Sequence, residues 1–336
     1  MKVLLDGYGG DNAPLEVVKG AILATSRNSD LEVHITGKEE ELSKILVSLS
    51  YSGNQIKIIN ASEIISNHDV PTIAVREKKD SSMVKALRIL SLDKSFCGVV
   101  SAGSTGALLT GALFILKRIK GISRPCLAPT WPTVDGGKLV VVDSGANADC
   151  KSIHLEHFAI MGSAYMNCLY NVKNPRVALL NNGSEEGKGS ELTKEVYYKL
   201  KDMKNINFVG NIEGRELLSG DTDVVVTDGF TGNVALKSTE GTALSIMKIL
   251  KNSIKNGGLR AKIGALLLKP TLKTLKSTLD VNEQAGGAFL GVDGIVVKAH
   301  GSSKAISIAK CIEQVVMLSE NDIISKIKDN LSSIEV

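Results

Sequence analysis

Short apolar runs alternate with longer amphipathic segments along this chain, and that alternation restricts the fold more than any single motif. The runs are 2–6 (KVLLD), 31–36 (LEVHIT), 56–60 (IKIIN), 96–101 (FCGVVS), 139–143 (LVVVD), 177–181 (VALLN), 223–227 (DVVVT) and 294–298 (GIVVK). Helices are expected near 14–27, 38–49, 81–93, 105–119, 151–170, 190–204, 232–256 and 303–319. Several runs are apolar at consecutive positions, as strands buried on both faces are. Strands separated by helices join in parallel, so the expectation is a three-layer α/β/α, Rossmann-like fold on an open, mostly parallel sheet. The 336 residues show no internal repeat and no low-complexity linker, and are read as a single domain over 1–336.

Polar, glycine-rich segments follow at least six of the runs: DGYGGD, SAGSTGA, DSGANADCK, NNGSEEGKG, DGFTGN and KAHGSS. In a parallel sheet these segments share one edge, where open α/β folds bind ligands. Glycine lets backbone N–H groups approach an anion, and helix N-termini favour negative charge. NNGSEEGKGS resembles a nucleotide P-loop, but its first glycine is one residue too close and Gly189 stands where the magnesium-binding hydroxyl belongs. Lys188, beside Gly187, can still receive a phosphate. SAGSTGA has G-x-x-G spacing rather than a dinucleotide fingerprint, so the backbone of Gly103, Ser104, Thr105 and Gly106 suits a phosphate or thioester oxygen, or simply close helix packing.

Three further groups carry candidate chemistry. Asp143, Asn147 and Lys151 surround Gly145, either to orient a substrate group or to form an Asx turn. Asp228 and Asn233 open a helix, as caps or with the Asn233 amide as oxyanion donor. Lys298 and His300 precede another helix, and His300 is a candidate general acid or base. Arg76, Lys78 and Lys79 form a basic cluster, read as a solvated face or as a contact for an acidic partner.

Composition narrows the classes. The net charge of +4 does not by itself imply nucleic acid, and six Phe with one Trp offer little for base-stacking platforms. No run approaches the roughly 18 apolar residues of a membrane span. Asp6 interrupts the first run too early for a signal peptide. The five cysteines are scattered and read as reduced cytosolic thiols. His154 and His157 lie one helical turn apart, but no further ligand completes a metal site.

Residues 251–280 differ from the rest, with seven Lys or Arg and one acid. Leu259, Ile263, Leu266, Leu267, Leu275 and Leu279 fall at helical spacing, interrupted at Pro270. A basic amphipathic hairpin of this kind suits an anionic membrane surface or a partner subunit.

Taken in order, DGYGGDNAP, REKKDSSM, SAGSTGALL, DSGANADCK, NNGSEEGKG, IEGRELLSGDTDVVVTDGFTGNVALK and LGVDGIVVKAHGSS resemble the bacterial phosphate acyltransferases of phospholipid synthesis, over residues 1 to about 320. The resemblance implies transfer of a long-chain acyl group from acyl carrier protein to inorganic phosphate. It also implies a fold akin to phosphate acetyltransferases and isocitrate or isopropylmalate dehydrogenases, a homodimer, and no nucleotide or required metal. The chain would be cytoplasmic and peripheral to the inner face of the cell membrane, supplying a membrane glycerol-3-phosphate acyltransferase. Departures from the family pattern include Gly7-Tyr8, Ser104 and Asn182; Ser104 removes an amide donor but leaves the backbone cradle.

Phosphate can attack a thioester directly, so no Ser or Cys nucleophile is required. The expected roles are phosphate binding by Lys188 and the 103–106 backbone with Lys298, thioester orientation by Asn233, and charge handling by His300. Asp143 and Asp228 would orient these groups. The rival readings are a coenzyme A-dependent phosphate acyltransferase, an isopropylmalate-type oxidoreductase, and a non-enzymatic membrane scaffold.

Overall fold

A computed structural model describes residues 1–279 and 285–332. The first half alternates strand and helix: β1 (Lys2–Asp6), α1 (Leu15–Arg27), β2 (Glu32–Gly37), α2 (Glu39–Ser48), β3 (Ile56–Asn60), α3 (Pro71–Glu77), α4 (Ser82–Leu92), β4 (Phe96–Ser101) and α5 (Thr105–Gly111). A wider π-helical turn over Ala112–Leu116 extends α5 and stops at Lys117, whose φ is +69°. Next come β5 (Cys126–Ala128), β6 (Thr130–Pro132), β7 (Lys138–Val142), α6 (Ser152–Tyr170), β8 (Arg176–Asn181), α7 (Glu191–Asp202), β9 (Asn207–Glu213) and β10 (Val224–Val226). The chain ends with α8 (Gly229–Asn256), α9 (Gly258–Leu267), α10 (Lys269–Leu279), β11 (Gly287–Leu290), β12 (Val296–Lys298), α11 (Ala305–Glu320) and α12 (Ile323–Ser332).

The alternation appears as expected, but the described strands form two sheets rather than one. One has the order β3-β2-β1-β4-β12-β11-β5 and the other β6-β7-β10-β8-β9. Pairing is parallel except at β11, which runs against β12 and β5, and at β6, which runs against β7. The chain passes between sheets at Pro129, the single residue separating β5 from β6. Proline has no N–H to donate to a ladder, so a strand breaks there at little cost. Strands as short as β5 and β6 leave no periodic signal, which is why the sequence did not announce them.

Asp143 joins the two sheets. It follows β7, is fully buried, and its carboxylate accepts hydrogen bonds from the Leu127 N–H on β5 (2.9 Å), the Ala146 N–H (3.1 Å), the Asn147 N–H (2.7 Å) and the Asn147 side-chain amide (2.9 Å). Asn147 also donates to the Pro125 carbonyl at 2.7 Å. Losing the acceptor would strand buried donors at about 1–3 kcal/mol each.

α6 is apolar nearly all round because it has no solvent face. It packs on β7 and β10 and also against α11 and α12. Phe158 and Tyr165 on α6 are fully buried, each contributing about 1.5–3 kcal/mol or more by area removed from water. Gln314 on α11 donates to the Tyr165 hydroxyl at 2.6 Å and to the Gly286 carbonyl at 3.1 Å, tying this core to the residues that lead into β11.

Within the basic segment, residues 251–256 complete the long α8, and α9 and α10 pack on it. Leu259, Ile263, Leu266 and Leu267 are all exposed. The side chains of Leu275 and Leu279 lie outside the described residues. Among the described residues, no helix is long and apolar enough to cross a membrane.

Candidate active site

The carboxyl ends of both sheets open onto one cleft of about 430 Å³. The first sheet supplies Thr105 after β4, Gly286 and Gly287 at β11, and Lys298 to Gly301 after β12. The second supplies Thr130 to Pro132 on β6, Ser144 and Gly145 after β7, and the first turns of α8 from Asn233. Such a volume suits a small-molecule substrate.

Two close approaches explain the glycines in these loops. A Cβ on Gly232 would lie 2.0 Å from the Asp143 carbonyl oxygen, and one on Gly229 2.6 Å from the Asn147 carbonyl oxygen. The start of α8 is thereby pressed onto the loop braced by Asp143. Across the cleft, a Cβ on Gly9 would lie 2.5 Å from the Gly103 nitrogen and 2.7 Å from Asp6 Oδ2. The DGYGGDNAP segment therefore does its work as a brace. The Asp11 N–H donates to the Gly301 carbonyl at 2.8 Å, and the Asn12 amide donates to the Ser302 carbonyl at 2.9 Å.

Lys298 is the central cation. Its ammonium donates to the Ala102 carbonyl at 3.3 Å and to the Ala299 carbonyl. An ammonium has three N–H bonds, so one is left for a ligand. Burial pushes its pKa down to about 8, against the opposing pull of Cys311, Asp6 and Asp11. Asp6 lies buried at the end of β1, accepting from the Ser82 hydroxyl at 2.5 Å and the Ser101 hydroxyl at 2.6 Å. Ser101 in turn accepts from the Gly103 N–H at 3.1 Å and pairs with Lys298 across β4 and β12. Burial raises the Asp6 carboxyl above its ordinary range. Asp6, Ser82 and Ser101 were missed in the sequence. Their only signal was an acidic residue ending the first strand.

His300 lines the same cleft. Its Nδ1 accepts from the Ser302 N–H at 3.3 Å and also meets the Ser302 hydroxyl at 2.9 Å. That bonding selects the tautomer with the proton on Nε2. Burial, then the nearby Lys237, hold the imidazole below its ordinary pKa, so the ring is neutral near pH 7. Lys237 itself pairs with Glu240 at 2.8 Å.

The other candidates divide. Thr105 and Asn233 line the cleft. Ser104 caps α5 by accepting from the Ala107 N–H at 3.4 Å, so the serine keeps the helix start intact. Gly103 is buried behind that turn, while Gly106 is exposed at the start of the helix. Asp143 and Asn147 brace the loop below the cleft, with the Asp143 carboxylate occupied by protein donors. Asp228 caps α8, accepting from the Thr231 N–H at 2.8 Å and hydroxyl at 2.7 Å. Lys188 and Gly187 stand on an exposed loop after β8, outside the cleft lining, with Lys188 at 4.0 Å from Glu185.

Lys78 is turned inward to Asp69 at 2.6 Å and the Ile64 carbonyl at 3.0 Å. Arg76 and Lys79 instead line a separate groove with Arg88 and Phe114. His154 and His157 each accept a backbone N–H through Nδ1, from Lys151 and Ser123, at 3.1 Å. Among the described residues no group of three His, Cys, Asp or Glu side chains is placed to hold a metal.

Among the described residues, covalent catalysis finds no prepared nucleophile on these walls. Ser144 donates its hydroxyl to the Val141 carbonyl at 3.1 Å rather than to a base. Burial raises the nearby Cys150 thiol to about 11, away from the thiolate form. The arrangement offers a cation, an amide, a neutral imidazole and a helix start around a largely apolar wall.

Comparison with known proteins agrees with that chemistry. The family described as Fatty acid synthesis protein matches residues 1–326. The phosphate acyltransferase of Clostridium beijerinckii is 47% identical over 334 residues, covering 99% of both chains. This chain belongs to the phosphate acyltransferase family. It is an acyltransferase, and the family description places it in fatty acid synthesis. The phosphate acyltransferase of Clostridium tetani is likewise 47% identical, over 100% of this chain and 99% of that one. The fold is that of a phosphotransacetylase from Streptococcus pyogenes, with a TM-score of 0.63 at 17% identity, covering 97% of this chain and 94% of that one.

Proposed function

We propose that the enzyme transfers a long-chain fatty acyl group from acyl carrier protein to inorganic phosphate, giving acyl phosphate for phosphatidic acid synthesis. The observation that carries this reading is Lys298, still cationic near pH 7 with its pKa lowered by burial to about 8, and lining a cleft that also holds Asn233, His300 and the start of α5. Phosphate is a dianion, and a cation in a confined, partly apolar site attracts it more strongly than in water. The Thr105 and Gly106 N–H groups, unpartnered within the helix, add to that attraction.

In the step proposed, a phosphate oxygen attacks the thioester carbonyl carbon, the C–O bond forms, and the C–S bond breaks. The phosphate proton leaves with the thiol. Asn233 orients the carbonyl, and His300 Nε2–H donates to the charge developing on oxygen. Lys298 holds the phosphate and Thr105 closes its other side. Asp143, Asn147 and Asp228 act by fixing the loops that carry these groups.

The acidic carrier protein would dock against Arg76 and Lys79, with Arg88 beside them. The exposed Leu259, Ile263, Leu266 and Leu267, among lysines, favour contact with an anionic membrane, where each basic side chain adds about 1 kcal/mol. A homodimer and hand-over to a membrane glycerol-3-phosphate acyltransferase complete the reading.

The deciding assay offers palmitate on carrier protein, or on coenzyme A, together with labelled phosphate. Labelled acyl phosphate is expected chiefly from the carrier-linked donor. A clear preference for coenzyme A would move the assignment to a coenzyme A-dependent enzyme, and no product from either would end it. Separately, Leu266→Glu with Leu267→Glu should abolish sedimentation with anionic vesicles; unchanged sedimentation would remove the membrane contact.

A further inference from the structure

The cleft does not end at the reaction centre. A second cavity of about 690 Å³ runs between α8 and the helices α9 and α10. Ala243 lines both cavities. Together they follow one face of α8, through Asn233, Leu236, Glu240, Ala243, Met247, Leu250 and Ile254. These positions step by three and four residues, the spacing of a single helical face. From Leu236 onward each is half-buried while most of their neighbours are exposed. The face also changes character along its length. Asn233 and Glu240 sit at the reacting end, and beyond them Ala243, Met247, Leu250 and Ile254 are all apolar.

We infer that this groove binds the hydrocarbon tail of the acyl group while its carbonyl is held at Asn233. The inference rests on the acyl-transfer reading above. An acyl group with its carbonyl in the cleft must place its tail somewhere, and the lining leads from that cleft at Ala243. From Ala243 to Ile254 the helix rises about 17 Å, at 1.5 Å per residue. That length matches a long-chain tail and is wasted on an acetyl or butyryl group. The opposite wall brings Ala265 and Leu272 against the tail, while Lys248, Lys251, Lys269 and Lys273 rim it. Lysine stems cover apolar ligand while their charged heads stay in water. α8 thus acts as a ruler, with the reaction at its N-terminal end.

The test uses graded obstruction. Met247→Trp, Leu250→Trp and Ile254→Trp are made in the full chain and assayed in detergent-free solution with carrier-linked butyryl, octanoyl, dodecanoyl and palmitoyl donors. The ratio of palmitoyl to butyryl kcat/KM should fall at least tenfold in Met247→Trp. The longest efficient donor should lengthen step by step from the 247 to the 250 to the 254 variant. A uniform loss across all donors, or an unchanged ratio, would overturn the groove. So would a shift in oligomeric state accompanied by uniform loss, since a second copy would then be the occupant.

A binding measurement separates this inference from the reading it rests on. Alkylphosphonates of increasing length are titrated into the unaltered protein. Affinity should climb with chain length and level off once Ile254 is passed, and Met247→Trp should bring the plateau earlier. Absence of any length dependence would refute the groove even if acyl phosphate forms. Failure of every donor to yield acyl phosphate, with the phosphonate series intact, would refute the reaction instead.

Discussion

Lys188 and Lys298 are both lysines in glycine-bearing segments at the ends of parallel strands, and from the sequence Lys188 is the more persuasive phosphate ligand. The structure treats them differently. Lys298 ends β12, inside the larger sheet beside β4, where backbone carbonyls hold it and burial lowers its pKa to about 8. Lys188 follows β8, near the far edge of the smaller sheet, with more than half of its side chain exposed. A glycine-lysine segment marks a place where an anion can approach. Whether it meets a substrate depends on which strands stand beside it. Charge in a buried cleft also interacts far more strongly than the same charge in water, so the difference is one of energy as well as position.

The comparison can be broken most directly at Lys298. Lys298→Met should reduce acyl phosphate formation about 10²- to 10³-fold, the usual cost of losing a preorganised donor at developing charge. Circular dichroism should show an unchanged fold. Turnover within threefold of the parent would remove Lys298 from the chemistry. Asn233→Ala should be the next largest, at about 10²-fold in kcat. A change confined to the phosphate KM would instead assign Asn233 to binding.

The pH profile sharpens the contrast. A lysine is cationic below its pKa, so Lys298 loses its charge as pH rises through about 8. The kcat/KM for phosphate, which reports the free enzyme, should therefore fall above that pH. Lys298→Arg, which does not titrate there, should remove this alkaline limb while retaining partial activity. Asp6→Asn removes a neighbour that supports the ammonium, so the limb should move to lower pH. A limb that stays in place in both variants would assign it to another group. Lys188→Ala should give the smallest effect, within about twofold in any kinetic constant, since an exposed ion pair is worth under about 1 kcal/mol. A hundredfold loss there would return the phosphate role to the 187–189 loop.

Much of the molecule was legible in advance for a definite reason. β1, β4, β7 and β10 are buried on both faces, so their apolar runs are dense, and the helices between them carry caps and apolar stripes that sequence periodicity exposes. β5, β6 and β11 were not legible. They are three or four residues long, and their strand identity comes from partners distant in the chain. The candidate site divides in the same way. Thr105, Asn233, Lys298 and His300 could be nominated from loops at strand ends. Asp143, Asn147 and Asp228 were nominated on the same signal, yet the geometry makes them braces. Asp6 and Ser101 had no distinctive spacing, because β1 and β4 bring them together from 95 positions apart.

What the sequence determined by itself was local: where strands and helices form, that glycine loops gather at strand ends, and that a basic amphipathic arm extends from α8. These follow from periodicity, backbone freedom and charge, which act over a few residues. Only the tertiary structure decided that the strands divide into two sheets at Pro129, that Lys298 rather than Lys188 enters the cleft, and that one face of α8 runs from that cleft into the arm. Burial, desolvation and cavity continuity are properties of surfaces brought together from distant parts of the chain, and no local pattern encodes them.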